Sequence, residues 1–367
     1  RLRRRLASNA GLPDYRAYRW RELNRLDYTP EDCLRLHAAI EVEIVPLSAR
    51  LLAARRERLR LDTLRPWDLE APLQERPLLN PFPDPDELAS RMAGVYEALD
   101  PDLGAMFERM RDGFLDLGVR KGKASGSEEW VFPVSELAYV RVAVNATFDD
   151  VLLLLHESGH AFHDYLALKH NALIWDLYYP TEFSEFAAIA MSHLGLHQIE
   201  RGGFGTSVDV AGARRAFLAG IVVKWLPEIA LVDAFQHWIY ADAPPEVDTA
   251  ALNRKWAELS ARFKPGVDWS GLEHELGSGW QQVGLLFGMP FYYVEYALAH
   301  LAALEVWQRA RRDWSNAWHD YRSALALGAT RPLPELFTAA RTRLPFDPQV
   351  VRDTAALLAA ELQAYPD

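Results

Sequence analysis

His156 and His160 stand four residues apart in the run His156-Glu157-Ser158-Gly159-His160. On a helix that spacing puts both imidazoles on one face, where they can converge on a single cation. Glu157 falls one step round the helix, able to reach a water on that cation without ligating it. The pattern predicts a zinc site that activates water for hydrolysis of a peptide bond. Such a site needs a third protein ligand. The next histidine, His163, does not sit at the spacing of a third histidine ligand. The segment Glu182-Phe183-Ser184-Glu185-Phe186-Ala187-Ala188 offers carboxylates instead. Glu182 follows Pro180 and Thr181 and suits a first helical turn, where an acid meets the positive end of the dipole. Glu185 lies one turn further in, ahead of an apolar run, and a carboxylate is costly to bury there unless a cation meets it. Glu185 is therefore preferred over Glu182 as the third ligand, with Glu157 as the general base.

Local signals place these residues on elements. Thr147 and Asp150 form a capping pattern ahead of Val151-Leu152-Leu153-Leu154-Leu155, so the motif lies well inside a helix. Gly159 is a poor helix former, and its mid-helix position predicts close approach of another backbone or of a substrate. Upstream, Trp130-Val131-Phe132 and Tyr139-Val140-Arg141-Val142-Ala143-Val144 are rich in aromatic and β-branched residues and predict a short antiparallel pair. Before them, Arg120 to Ser127 reads as a basic, glycine-containing loop. Thr29-Pro30-Glu31-Asp32 opens a helix with a cap, a proline and acids in the first turn. Leu34, Leu36, Ile40, Ile44 and Leu47 follow at roughly helical spacing, and Pro46 should kink or break the run. Pro66, Pro72, Pro77, Pro81, Pro83 and Pro85 mark an irregular connection, after which Asp84-Pro85-Asp86-Glu87 starts another helix. The rest reads as helices and short loops. The expected fold class is mainly α, a zincin-like helical protein with a small antiparallel β-sheet next to the motif helix.

Half of the 367 residues are hydrophobic and a quarter are charged, the balance of a soluble globular chain. A net charge of -11 argues against a nucleic-acid surface and against an anionic membrane as partner. The basic run Arg1 to Arg5 is read as solvated. Apolar stretches such as Val151 to Leu155 are too short to span a bilayer, and no signal-peptide pattern is present. The sequence begins at Arg1 rather than Met, so a processed or missing segment is expected before it. Cys33 is the only cysteine, which precludes an internal disulfide and fits a reducing compartment, the cytoplasm. Within its amphipathic run Cys33 is read as a small buried hydrophobe.

The run His156-Glu157-Ser158-Gly159-His160-Ala161-Phe162-His163 resembles the H-E-x-G-H-x-x-H signature of the thimet oligopeptidase and oligoendopeptidase F family of zinc metallopeptidases. Glu182-Phe183-Ser184-Glu185 resembles the family segment that carries the third ligand, with Glu185 at the ligand position. Arg120-Lys121-Gly122-Lys123-Ala124, Pro290-Phe291-Tyr292-Tyr293-Val294-Glu295-Tyr296-Ala297 and Leu327-Gly328-Ala329-Thr330 resemble further family segments. The resemblance covers nearly the whole chain. It implies that residues 1–367 are one catalytic domain, without the family's N-terminal lobe. It implies a zinc-dependent metalloendopeptidase that hydrolyses short peptides, with zinc on His156, His160 and Glu185. It also implies that Tyr292, Tyr293 and Tyr296 bind the scissile carbonyl and stabilise the oxyanion, a role a phenol can fill. A core aromatic role is the alternative for each.

Several positions depart from the family pattern. Ser192, beside His193, stands where a second supporting glutamate is expected, and Ala188 where a serine is. Leu285 occupies the place of a histidine that helps bind the transition state. Ser127-Glu128 replaces a glycine-rich stretch. These changes keep open a second reading, a degenerate zinc- and peptide-binding relative without turnover, and a third, a helical domain with an accidental motif. His193 and His197 are read as core or surface residues, and His274, His300 and His319 as structural.

Overall fold

The computed structural model describes residues 1–70, 81–124, 126–205 and 207–364. Pro72, Pro77 and Ser125 lie outside the described residues. The chain forms two compact units. The first is drawn from Arg1–Glu75, Phe217–Leu298 and Pro345–Ala364, the second from Arg76–Ala216 and Ala299–Leu344. Among the described residues no helix is long and apolar enough to cross a membrane.

The first unit is helical. Pro30–Glu43, the Cys33 helix, begins with a reciprocal cap between Thr29 and Asp32 and has Pro30 at its first position. Leu36, Ile40, Ile44 and Leu47 are buried as their spacing predicts, whereas Leu34 is exposed. Pro46 does break the run: the Cys33 helix stops at Glu43, and a second helix, Val45–Leu59, starts with Pro46 in its first turn, where a missing N–H costs nothing. Leu226–His237, the Asp233 helix, packs against the Cys33 helix. The basic N-terminus is not simply solvated. It forms the helix Leu2–Asn9, from which Arg4 donates to the Ala243 carbonyl at 2.8 Å and Arg3 bonds Tyr240. Cys33 is fully buried.

The second unit holds the sheet and the motif. Its helix Pro85–Leu99 starts at the predicted Asp84 cap. The predicted antiparallel pair is present as β2 (Ser127–Phe132) and β3 (Leu137–Val142), with Trp130 opposite Tyr139. A third strand, β1 (Leu115–Asp116), runs parallel to β3, so the sheet is mixed, in the order β1-β3-β2. Two residues carry no periodicity, which is why β1 leaves no mark in the sequence. β2 also starts earlier than its aromatic stretch, because a ladder needs only backbone groups and accepts the polar Ser127-Glu128-Glu129 at an edge.

The glycine-containing loop before β2 wraps round one cation. Lys123 is buried and donates to the carbonyls of Asp116, Gly118 and Val142 and to the Asp116 carboxylate, at 2.7–3.0 Å. Hydrogen bonds from Arg120 and Lys123 hold the Asp116 carboxyl well below the usual carboxylate range.

After the sheet comes Phe148–His170, the His-Glu helix. Its capping box forms as predicted: Thr147 Oγ1 accepts from the Asp150 N–H, and the Asp150 carboxylate accepts from the N–H groups of Thr147 and Asn145. The helix packs on Thr181–Gln198, the glutamate helix. A Cβ on Gly159 would lie 2.5 Å from the Ala188 Cα and 3.0 Å from the Ala187 carbonyl oxygen. The neighbour that Gly159 predicts is thus the backbone of the glutamate helix. Gly195 makes the reciprocal contact, facing Leu155. Tyr321 donates from its hydroxyl to the Ala187 carbonyl at 2.7 Å and ties a later helix to the same place.

Candidate metal centre

The close contact at Gly159 sets the distance between the two helices that carry the site. On one, His156 and His160 present their rings edge to face, with centroids 4.9 Å apart. On the other, Glu185 Oε2 lies 3.5 Å from His156 Nε2 and 3.9 Å from His160 Nε2. Two ligands on a tetrahedral zinc ion at ordinary bond lengths are about 3.3 Å apart. The three donor atoms therefore stand close to the separations that such an ion requires. The chemistry of the set fits as well, with two imidazoles and one carboxylate. Burial pushes the His156 ring down to about 4, and burial together with His156 and His163 puts His160 well below its ordinary value. Both rings are thus neutral near pH 7, with lone pairs free for a metal. Ser184 Oγ is 2.9 Å from His160 Nδ1 and orients that ring so that Nε2 faces Glu185. Glu182 is also buried, in the first turn of the glutamate helix, but it is not part of the three-residue cluster.

Glu157 is buried beside the cluster, and burial raises its carboxyl to about 7. The nearby Ser127 hydroxyl and the Arg141 guanidinium oppose that rise. Ser127, part of the departure from the family's glycine-rich stretch, is thus brought near the site by β2. Glu128 pairs with Arg141 at 2.9 Å on the other side of the strand. Two residues beyond Ser127, Glu129 faces Asp164, which lies two helical turns after Glu157 on the His-Glu helix. Burial raises both carboxyls, and the Asp164 carboxylate raises Glu129 further, so the pair retains a proton well above the usual carboxylate range. Tyr179 donates to Asp164 Oδ1 at 2.6 Å and stacks its ring on His163 at 3.7 Å.

The remaining candidates are placed as follows. Ser192 donates to the Ala188 carbonyl of its own helix at 3.2 Å, so its hydroxyl does not take up the missing glutamate's contact. His193 is buried against Trp307, and His197 stacks on Trp314. His274 and His319 are exposed. His300 is buried, and its charge would act on that of His156, a proximity that no sequence motif signals. Tyr292, Tyr293 and Tyr296 are half-buried and pack on one another in the first unit, with centroids 5.4 and 6.0 Å apart. His156, Glu157, His160 and Glu185 belong to the second unit. Leu285 is half-buried in a short helix, Gly284–Gly288. Ser127, Glu129, Asp164, Tyr179 and Ser184 escape sequence reading because their partners are distant in the chain. Only Asp164, seven residues after Glu157 and so on the same helical face, carries a local signal.

Two imidazoles and a carboxylate, with a second carboxylate beside the first histidine, are a donor set suited to a divalent metal ion. The chain matches Peptidase family M3 over residues 1–355, and it belongs to that family. No curated protein matches it. Among solved structures it is similar to Pz peptidase A with an inhibitor, at 25% identity and a TM-score of 0.91, over 99% of this chain and 64% of that one. It is similar to a candidate oligoendopeptidase F at 27% identity and a TM-score of 0.90, over 99% of this chain and 63% of that one. A third, a candidate oligoendopeptidase F from Bacillus anthracis str. Ames, shares the fold at 24% identity and a TM-score of 0.85, over 99% of this chain and 61% of that one. The chain thus spans somewhat less than two thirds of the length of each of these relatives.

Proposed function

We propose that residues 1–367 form the catalytic domain of a cytoplasmic, zinc-dependent oligoendopeptidase that hydrolyses short peptides. The observation that carries this reading is the convergence of His156 Nε2, His160 Nε2 and Glu185 Oε2 within 3.9 Å of that carboxylate oxygen, next to the buried Glu157. Zinc bound by these three residues would supply a Lewis acid that makes water nucleophilic near neutral pH and polarises a carbonyl. Glu157 takes the proton from the attacking water on a carboxylate oxygen and delivers it to the nitrogen of the departing amine. Ser127 holds that carboxylate in place. Ser184 keeps the His160 ring turned towards Glu185. β2 is an edge of the described sheet, and its outer backbone groups can pair with an extended peptide laid beside the His-Glu helix. Tyr292, Tyr293 and Tyr296 are proposed as oxyanion donors on the family resemblance alone.

The alternative, a zinc- and peptide-binding relative without turnover, is favoured by Ser192, whose hydroxyl is spent within its own helix, and by Leu285. Glu157→Gln separates the two. The variant should keep its metal while cleavage of a quenched peptide falls roughly 100- to 10,000-fold, the usual worth of a positioned general base. Unchanged cleavage removes Glu157 from the mechanism. Absence of chelator-sensitive cleavage in the zinc-loaded parent supports the binding-only reading.

A further inference from the structure

The first unit contains a second cluster of metal-ligating side chains. The Cys33 helix carries Cys33 and His37, and the Asp233 helix, packed against it, carries Asp233 and His237. Each pair has a spacing of four and so shares a helix face. The donor atoms of Cys33, Asp233 and His237 all lie within 4.8 Å of one another, and all three residues are buried. Asp233 Oδ2 accepts from His37 at 2.9 Å and lies 3.3 Å from His237 Nε2, while Asp233 Oδ1 has no hydrogen-bond partner among the described residues. Among the described residues His237 Nε2 also lacks one, because its approach to Oδ2 misses hydrogen-bond geometry. Unpartnered buried groups of this kind are costly, and a carboxylate oxygen most of all. Immediately after His237 the helix widens into a π-helical turn, Trp238–Asp242, a distortion that recurs at functional sites.

We propose that Cys33, Asp233 and His237 form a second metal site, a sealed structural one, that takes a zinc-class divalent ion. The ion would bind the Cys33 thiolate, Asp233 Oδ1 and His237 Nε2, and the thiol proton would leave to solvent. A doubly charged cation against one thiolate and one carboxylate leaves the buried cluster neutral. His37 is a positioning residue: its hydrogen bond to Oδ2 turns Oδ1 towards the ion. Arg16, half-buried, now lies 3.3 Å from His237 Nδ1, and it gives up that contact when Nδ1 takes the ring proton. A thiolate, an imidazole and a carboxylate together suit zinc or cobalt better than magnesium or calcium. The site would clamp the two helices, each tied through its own side chains.

Cys33 is the only cysteine, so a thiolate-to-cobalt charge-transfer band in the near ultraviolet reports this site and no other. Full-length protein refolded with cobalt(II) as the only added metal should show that band and hold about two ions per chain. His156→Ala should keep the band and hold about one. Cys33→Ala should lose the band, hold about one and retain peptide cleavage. Asp233→Asn, checked for native circular dichroism, provides a second variant with the same expected loss, and His37→Ala should weaken cobalt binding about 10- to 100-fold. Absence of the band in the parent protein overturns the proposal, as does a Cys33→Ala variant that still binds about two ions. Failure of the peptidase reading is separate: His156→Ala would then leave the metal content unchanged.

Discussion

Each unit buries a set of side chains drawn from a spacing-of-four pair on one helix and a single group on another, the Glu185 carboxylate in the second unit and the Cys33 thiol in the first, yet the two sets differ in their access to water. In the second unit the side chains of His156 and His160 keep 22% and 14% of their surface exposed. In the first unit those of Asp233 and His237 keep 0% and 3%. A centre that must admit a peptide and release products has to be open on one side. A sealed cluster cannot meet a substrate, and its chemistry acts on the stability of the unit that holds it. The neighbours differ accordingly. The open cluster has a carboxylate beside it, Glu157, the proposed proton carrier, and the sealed one has a histidine, His37, proposed only to orient.

This contrast is broken most directly by removing one carboxylate from each cluster. Glu185→Gln should take cleavage of a quenched peptide to background with little change in the denaturation midpoint. Asp233→Asn should do the reverse, costing roughly 3–5 kcal/mol of stability as a buried ion partner is lost, with cleavage retained by the protein that remains folded. Chemical denaturation and peptide assays on both variants measure the two effects. Equal stability losses would erase the distinction between the clusters.

Gly159→Ala tests how tightly the open cluster depends on its helix contact. The added methyl meets the Ala188 backbone rather than a movable side chain, so a loss of about 1–3 kcal/mol is expected, read as a lower thermal midpoint. Metal affinity should fall with it, since the same contact sets the distance from Glu185 to the two histidines.

The smallest effect concerns His163, one turn beyond the ligands. Among the described residues neither of its ring nitrogens has a hydrogen-bond partner, and burial holds it down at about 3 against an ordinary 6.5. Its neutral form is favoured by folding, so its contribution is fully present above about pH 6.5 and is lost as the pH falls towards 3. His163→Phe keeps a ring against Tyr179 and removes the orphaned nitrogens. It should raise stability by about 1 kcal/mol at neutral pH and flatten the acid limb of a stability-against-pH curve. A steeper limb would mean that His163 is not the group being protonated.

How much of this was legible in the chain depends on distance along it. Thr147 with Asp150 and Thr29 with Asp32 are partners three residues apart, and both caps are readable directly. The break at Pro46 and the helical face shared by His156 and His160 are equally local. Leu34 shows the limit within a helix: its type says apolar, but the packing of neighbouring elements leaves that side in solvent. Strand β1 shows another, since two residues acquire strand geometry only from the partner that pairs with them.

The sequence by itself determined the helices, their caps, the His156-Glu157-His160 spacing and the preference for Glu185, because each is set by residues within a turn or two of one another. Only the tertiary structure decided that Gly159 yields to the Ala188 backbone, that Ser127 comes near Glu157, that Ser184 bonds His160, and that Cys33 lies beside Asp233 and His237. Those relations join residues from 24 to 200 or more positions apart. Nothing in local spacing encodes them, because they exist only where packed helices and a strand edge bring distant side chains within reach.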